Sequence, residues 1–320
     1  MKKIAIIGEC MIEISGKPFG SMSQTFGGDT LNTAVYLSRS CALNSEDQPM
    51  TVFYVSAVGA DPLSKEMVTR WQNEGINTEC VLIDECRIPG LYLIQLDELG
   101  ERTFLYWRSQ SPARYLLQHP NFNHVEYSLS KMNMVFLSGI SLAILPKEDR
   151  ARLLNTLNFL RDKGIEIAFD SNYRPVLWPN DNLKTVKENY QAMYQATDLA
   201  LVTFDDEQLI WGDKTPQDTV ARLHKLGVEK VIVKLGENGC LVGDAINHKR
   251  YTVPAIPVET VVDTTSAGDS FNGGFLSCYL ATGSLEQSCR RGNALASVVI
   301  QHRGAIVPKS VTDVVIQRQN

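Results

Sequence analysis

The stretch PKEDRARLLNTLNFLRDKGIEIAF, Pro146–Phe169, holds the alternation on which the fold turns. Its first part sets Leu153, Leu157 and Leu160 at i, i+4 and i+7, one face of a helix, and Gly164 follows as a stop signal. Ile165–Phe169 then reads as a near-continuous apolar run of strand length. Such runs fit strands buried on both faces, as in a parallel sheet.

The same kind of run recurs at Ile4–Ile7, Val52–Val58, Met134–Leu137, Leu199–Val202 and Val231–Val233, with helix-like segments between most of them. Strands alternating with helices predict an α/β fold, a doubly wound, mostly parallel sheet flanked by helices. Its ligand crevice should lie outside the carboxyl ends of the strands. Two regions depart from that pattern. Residues 88–108 hold two alternating strands, Leu91–Leu96 and Thr103–Arg108, joined by Asp97-Glu98-Leu99-Gly100-Glu101, a hairpin signature without a helix. Residues 11–28 have similar short apolar runs among Gly16, Pro18 and Gly20. Together, about 11–28 and 88–112 are expected to form a small β-sheet lid on a single domain spanning 1–320. No repeat, low-complexity tract or Pro/Ser-rich linker marks a second domain.

Composition narrows the class. Of 320 residues, 44% are hydrophobic and 21% charged, with 31 basic against 36 acidic side chains and a net charge of −5. That is a globular balance, with no electrostatic footprint for nucleic acid or anionic lipid. The seven cysteines (Cys10, Cys41, Cys80, Cys86, Cys240, Cys278 and Cys289) are odd in number and scattered, which suits reduced thiols. The apolar run after Met1-Lys2-Lys3 meets Glu9 too early for a signal peptide, and no stretch of about 18 apolar residues exists for a membrane span. A cytoplasmic protein is expected, with neither nucleic acid nor membrane as partner.

Chemistry concentrates in Asp263-Thr264-Thr265-Ser266-Ala267-Gly268-Asp269-Ser270-Phe271-Asn272-Gly273-Gly274-Phe275. Small residues there run as a loop into an apolar helix, Phe271–Leu280. Amides at a helix N-terminus attract anions, and a carboxylate beside them could take a proton from an attacking hydroxyl. Ser266 or Asp269 acting as a plain helix cap is the competing reading. Other phosphate motifs are absent: there is no GxxxxGK(S/T), and Gly8-Glu9-Cys10-Met11-Ile12-Glu13 lacks the glycines of a dinucleotide fingerprint.

This stretch resembles the C-terminal signature of the ribokinase-like (PfkB) sugar kinases, DTxxAGDxFxGG, and matches every fixed position. Gly27-Gly28-Asp29-Thr30-Leu31-Asn32-Thr33-Ala34 resembles that family's N-terminal GGxxxNxA segment. The resemblance implies Asp269 as catalytic base, with the amides of Ala267, Gly268 and Asp269 around the transferring phosphoryl group. It implies ATP and Mg²⁺, and some relatives use a monovalent cation such as K⁺ near this loop. Lys234-Leu235-Gly236-Glu237-Asn238-Gly239 resembles the family's KxGxxG turn along the ATP phosphates, although a tight strand-to-strand turn explains Gly236 and Gly239 equally well. Asn293 and Ser297 would lie near the adenine, or be ordinary helix positions. The family's NxxE element is replaced by Thr203-Phe204-Asp205-Asp206, which leaves open which of Asp205, Asp206 and Glu207 serves magnesium through water. Asp206 is the expected one, an acidic helix N-terminus the alternative.

Two arginines bear on the substrate. Arg108 ends the second hairpin strand, and Arg174 lies in Asp170-Ser171-Asn172-Tyr173-Arg174-Pro175-Val176-Leu177-Trp178, just past a buried strand. A planar carboxylate is best matched by an arginine fork. With Gly90-Leu91-Tyr92, these segments resemble the branch of the family that phosphorylates 2-keto-3-deoxygluconate. That likeness implies Gly28, Asn32, Tyr92, Tyr106, Arg108 and Arg174 as contacts to a sugar acid, with Asp29 and Glu9 beside them. Two other readings stay open, a ribokinase- or fructokinase-like enzyme on a neutral sugar and a non-catalytic sugar-sensing relative. An exposed lid edge invites pairing, so a homo-oligomer, a dimer or higher, is expected.

Overall fold

Each apolar run becomes a strand, most of them lengthened at one or both ends, although Ile165 stays outside the strand that starts at Glu166. The computed structural model describes residues 1–17, 19–42, 49–96 and 102–318. In chain order the strands are β1 (Lys2–Ile7), β2 (Met11–Gly16), β3 (Met22–Gly27), β4 (Met50–Gly59), β5 (Val81–Asp84), β6 (Leu91–Leu96), β7 (Arg102–Trp107), β8 (Met134–Ser138), β9 (Glu166–Asp170), β10 (Leu199–Thr203), β11 (Lys230–Lys234), β12 (Cys240–Asp244) and β13 (Lys249–Val253).

The main sheet runs β13-β12-β11-β10-β9-β8-β1-β4-β5. From β11 to β5 neighbours are parallel, Ile6 of β1 standing opposite both Tyr54 and Phe136, while β12 and β13 close one edge antiparallel. Alternation along β1 sends Ala5 and Ile7 to one core and Ile4 and Ile6 to the other. On the first face pack Leu153, Leu157 and Leu160 of the Lys147–Asp162 helix, as their spacing predicts. Each such buried leucine contributes roughly 1.5–3 kcal/mol. On the second face lie Leu31 and Val35 of the Asp29–Ala42 helix with Phe271 and Phe275 of the Ala267–Thr282 helix. Helices on both faces leave the carboxyl ends of the parallel strands open, which is where the site forms.

Two glycines set the spacing of that helical layer. A Cβ on Gly273 would lie 2.7 Å from Tyr36 Cβ, and one on Gly274 would lie 3.0 Å from the Arg291 carbonyl oxygen. The Ala267–Thr282 helix can therefore sit against both the Asp29–Ala42 and Leu285–Val299 helices, which fixes the height of its first turn.

A second sheet has the order β3-β2-β6-β7. Tyr92 pairs with Tyr106 and Ile94 with Phe104 on one face, Leu91 with Trp107 and Leu93 with Leu105 on the other. The expected link 97–101 and Pro18 lie outside the described residues. Strand β7 ends at Trp107, so Arg108 stands just past it rather than within it. The Ala267–Thr282 helix starts a turn earlier than the expected Phe271. Gly, Asp and Ser are weak helix formers, but this turn is held from outside, Thr33 Oγ1 donating to the Asp269 carbonyl at 3.3 Å. Among the described residues no helix is long and apolar enough to cross a membrane.

Candidate active site

The two sheets and the first turn of the Ala267–Thr282 helix enclose a cavity of about 650 Å³ at the carboxyl ends of the parallel strands. Gly28, Asn32, Tyr92, Tyr106, Arg108, Arg174, Asp206, Lys234, Ala267, Gly268 and Asp269 all line it, as do Glu9 and Asp29. Residues far apart in sequence thus meet in one place.

Asp269 occupies the helix's first turn. Asn32 Nδ2 (2.8 Å) and Ser266 Oγ (2.9 Å) both donate to its Oδ2, which leaves Oδ1 to the cavity. Burial, then the neighbouring Asp29 charge, pushes the carboxyl up to about 7. A base in that range accepts a proton readily near neutral pH, where about half of it is ionised. Ser266 precedes the helix in a left-handed conformation, φ 65, and makes no side-chain cap. A non-glycine residue held there costs about 1 kcal/mol or more, the kind of strain found at functional sites. Its hydroxyl serves Asp269 instead, so the capping alternative falls. Ala267 N–H is taken by the Thr264 carbonyl at 3.2 Å. Gly268 and Asp269 N–H groups, at the open end of the helix, have no intrahelical acceptor. Asp263 braces the loop from behind, accepting from Thr265 N (3.0 Å) and Gly304 N (3.0 Å).

The floor carries a buried ring of contacts. Lys234 Nζ donates to Asp170 Oδ2 (2.8 Å) and Asn272 Oδ1 (3.3 Å), and Asn272 Nδ2 donates to Asp170 Oδ2 (2.6 Å). Of the three acidic residues, Asp206 lines the cavity; it accepts from Tyr173 N at 3.0 Å, and burial raises its carboxyl pKa. Asp205 is exposed, whereas Glu207 is fully buried with Arg222 (2.7 Å) and Tyr194 (2.5 Å). Among the described residues no cluster of three His, Cys, Asp or Glu side chains forms a metal cage. Magnesium needs none, because it keeps several waters and takes one or two carboxylates plus substrate phosphates. Asp206, with Thr203 beside it on the cavity wall, fits that demand.

The opposite wall is aromatic and basic. Tyr92 and Tyr106 stand 6.0 Å apart, centroid to centroid, and Phe104 stacks on Tyr106. Tyr92 OH is bonded to Glu13. Arg108 forms an ion pair with buried Glu9, a partner its sequence context did not reveal; among the described residues Glu9 Oε1 and Arg108 Nε are buried without hydrogen-bond partners. Arg174 donates to the Tyr173 carbonyl (2.9 Å) and extends to the cavity. Asn172, left-handed at φ 30, anchors this loop by donating to Asp29 Oδ2 at 2.6 Å.

Four expected nucleotide residues lie outside the cavity lining. Gly236 and Gly239 turn β11 into β12 with φ of 57° and 82°, so the strand-to-strand turn is real. A Cβ on Gly239 would lie 2.1 Å from the Val253 carbonyl oxygen. Asn293 reaches the same segment, donating to the Pro254 carbonyl at 2.9 Å, and Ser297 bonds within its own helix at 2.8 Å. Gly239 and Asn293 therefore share one neighbourhood beyond Lys234. Asp170, Asn172 and Asn272 join the site without having stood out in the sequence, and Ser266, which the sequence offered as a helix cap, serves Asp269. Polar residues directly after a buried strand, and an amide inside an apolar helix, were the available signals.

Comparison with known proteins identifies the family and the fold. A family model described as pfkB family carbohydrate kinase matches residues 1–312. The 2-dehydro-3-deoxygluconokinase of Haemophilus influenzae is 56% identical over 309 residues, 97% of this chain and 96% of that protein. The Dickeya dadantii protein of the same name is 46% identical, covering 96% of this chain and 97% of its own length. Among solved structures, an Escherichia coli chain assigned as ribokinase II, in complex with ATP and Mg²⁺, superposes with a TM-score of 0.81 at 22% identity, over 99% of this chain and 100% of that one.

Proposed function

The chain belongs to the pfkB family of carbohydrate kinases, and on that premise we propose that it transfers the γ-phosphoryl group of ATP to the C6 hydroxyl of 2-dehydro-3-deoxy-D-gluconate, giving the 6-phosphate. One observation carries the chemistry: a cavity-facing carboxylate oxygen, Asp269 Oδ1, stands on the first turn of a helix whose open amides can meet a phosphoryl group.

Asp269 Oδ1 takes the hydroxyl proton as the C6 oxygen bonds to the γ-phosphorus and the bond to the ADP oxygen breaks. Asn32 and Ser266 fix the carboxylate so that this oxygen faces the acceptor. Gly268 and Asp269 amides offer N–H donors to the equatorial oxygens of a loose transition state, where positioning and charge matter most. Magnesium, held by Asp206 through water, would neutralise phosphate charge when bound. The nucleotide would extend from Lys234 along Gly236 and Gly239 toward Asn293 and Ser297. Gly28, Asn32 and the aromatic wall of Tyr92 and Tyr106 would shape the sugar subsite, and Arg108 and Arg174 would take its carboxylate. The second sheet would act as the lid that keeps water from the γ-phosphate.

Exposed Leu105 and Trp107 lie on the outer face of that sheet, beside the free edge of β7. We infer a homodimer that covers this face. The seven free thiols suit a reducing cytoplasm, where ATP is supplied. An ATP-coupled assay across sugars and sugar acids tests the assignment. Turnover of the keto-deoxy acid far above fructose or ribose supports it, and the reverse order replaces it with a neutral-sugar kinase.

A further inference from the structure

Lys234, Asp170 and Asn272 close a three-membered ring of hydrogen bonds, and all three side chains are buried. They come from three separate elements: the ends of β11 and β9, and the Ala267–Thr282 helix. Asn272 sits at i+3 from Asp269, on the same helix face. Lys234 and Asp170 also line the cavity. A buried ion pair is weak evidence for stability, since well-packed apolar side chains often do as well. Its position under the base calls for another account.

We propose that Lys234, Asp170 and Asn272 form a positioning triad for Asp269, which clamps the helix's first turns to the strand ends and keeps the charge behind the carboxylate balanced. The triad touches no reacting atom. It acts through Asn272 on the helix and through the field at the cavity floor. Charged and titratable groups near Asp269 are Asp29 from the Asp29–Ala42 helix, Asp170 from β9, Lys234 from β11, Asp206 from the Phe204–Trp211 helix and Tyr36 beside the glycine contact. Asp29 and Asp170 both push the Asp269 carboxyl up. Lys234, bonded to Asp170, offsets the second of these. The lysine is therefore engaged from below, with two of its three N–H donors spent within the protein.

This inference rests on Asp269 being the proton acceptor, and its test is the pH dependence of kcat. The acid limb reports ionisation of the base. Asp170→Asn removes a like charge and leaves Lys234 uncompensated, so the limb should move down by about 0.5–1 pH unit. Lys234→Met leaves Asp170 uncompensated and should move it up by about as much. The double variant Lys234→Met/Asp170→Asn restores neutrality, and its limb should return near the wild-type position although kcat is lower. Lys234→Met can fail to fold because it strands a buried charge. Lys234→Gln, which keeps an N–H donor for Asp170 while removing the positive charge, then supplies the upward arm. Opposed shifts that cancel in the double variant support the triad. A plain scaffold would lower kcat or melting temperature with the limb fixed in every variant, and that result overturns the proposal. Failure of the base assignment shows separately, as near-normal turnover by Asp269→Asn.

Discussion

Replacing Asp269 by Asn should make the protein more stable while nearly abolishing turnover. Both donors to this carboxylate, Asn32 Nδ2 and Ser266 Oγ, meet the same oxygen. An asparagine can place its carbonyl oxygen there and keep both bonds. What disappears is the basic Oδ1, and with it a half-buried charge. The carboxyl pKa climbs from 3.8 to about 7 in the fold, chiefly through burial and secondarily through Asp29. Because the folded pKa is the higher one, the fold holds this proton more tightly than the unfolded chain. Stability is therefore lost as pH rises from about 4 through 7, and the full penalty stands above that. At roughly 1.4 kcal/mol per pH unit the cost at pH 8 is about 2–4 kcal/mol, allowing for relaxation around the charge. A chain of 320 residues unfolds with an entropy of roughly 0.7 kcal/mol per kelvin, so the variant should melt about 3–6 °C higher at pH 8. The gain should shrink to under about half of that at pH 5. Calorimetry at the two pH values reads the stability arm. Steady-state assay should show kcat down about 10²–10⁴-fold, the usual worth of a positioned base. A melting temperature that falls equally at both pH values, or turnover close to wild type, would refute the reasoning.

Arg174→Met keeps the apolar stem and deletes the fork. A charge-assisted hydrogen bond is worth roughly 1.5–3 kcal/mol, so kcat/KM for the sugar acid should drop about 10–150-fold, mostly through KM, while weak turnover of a neutral hexose stays level. Equal losses for both acceptors would mean the arginine orders the site instead. Asp206→Ala should raise the magnesium concentration for half-maximal rate more than the sugar KM; the same effect from Asp205→Ala would transfer the role to that exposed neighbour. Gly273→Val meets Tyr36 Cβ and the Leu37 amide, and should cost at least about 1–3 kcal/mol by denaturant unfolding. An unchanged midpoint would show that the helices have room to part. Trp107→Glu on the outer face of the second sheet should yield monomers by light scattering, and a dimer that survives it would place the interface elsewhere.

The parallel core was legible because β9 and its neighbours are buried on both faces, and their runs carry little polar interruption. Leu153, Leu157 and Leu160 were equally plain, since helical period and burial coincide there. The start of the Ala267–Thr282 helix was not, because its first turn is built from weak helix formers and held by Asn32 and Thr33, which are remote in sequence. Asp269 stood out as a carboxylate in a run of small residues. Asp170 and Asn272 did not, because a buried ring exists only once three strand and helix ends have met. Arg108 shows the same limit from the other side: its guanidinium read as free for a ligand, but its partner Glu9 comes from the link between β1 and β2, about a hundred residues earlier.

The product formed from 2-dehydro-3-deoxy-D-gluconate, ATP and Mg²⁺ gives the most direct test of the proposed reaction. Coupled phosphorus–proton NMR of the reaction should show ADP formed in step with one new phosphate ester, its phosphorus coupled to the two protons of C6. A phosphate on another carbon would contradict the placement of the C6 hydroxyl at Asp269. No ester from the acid, with ready phosphorylation of fructose or ribose under the same conditions, would contradict the substrate itself.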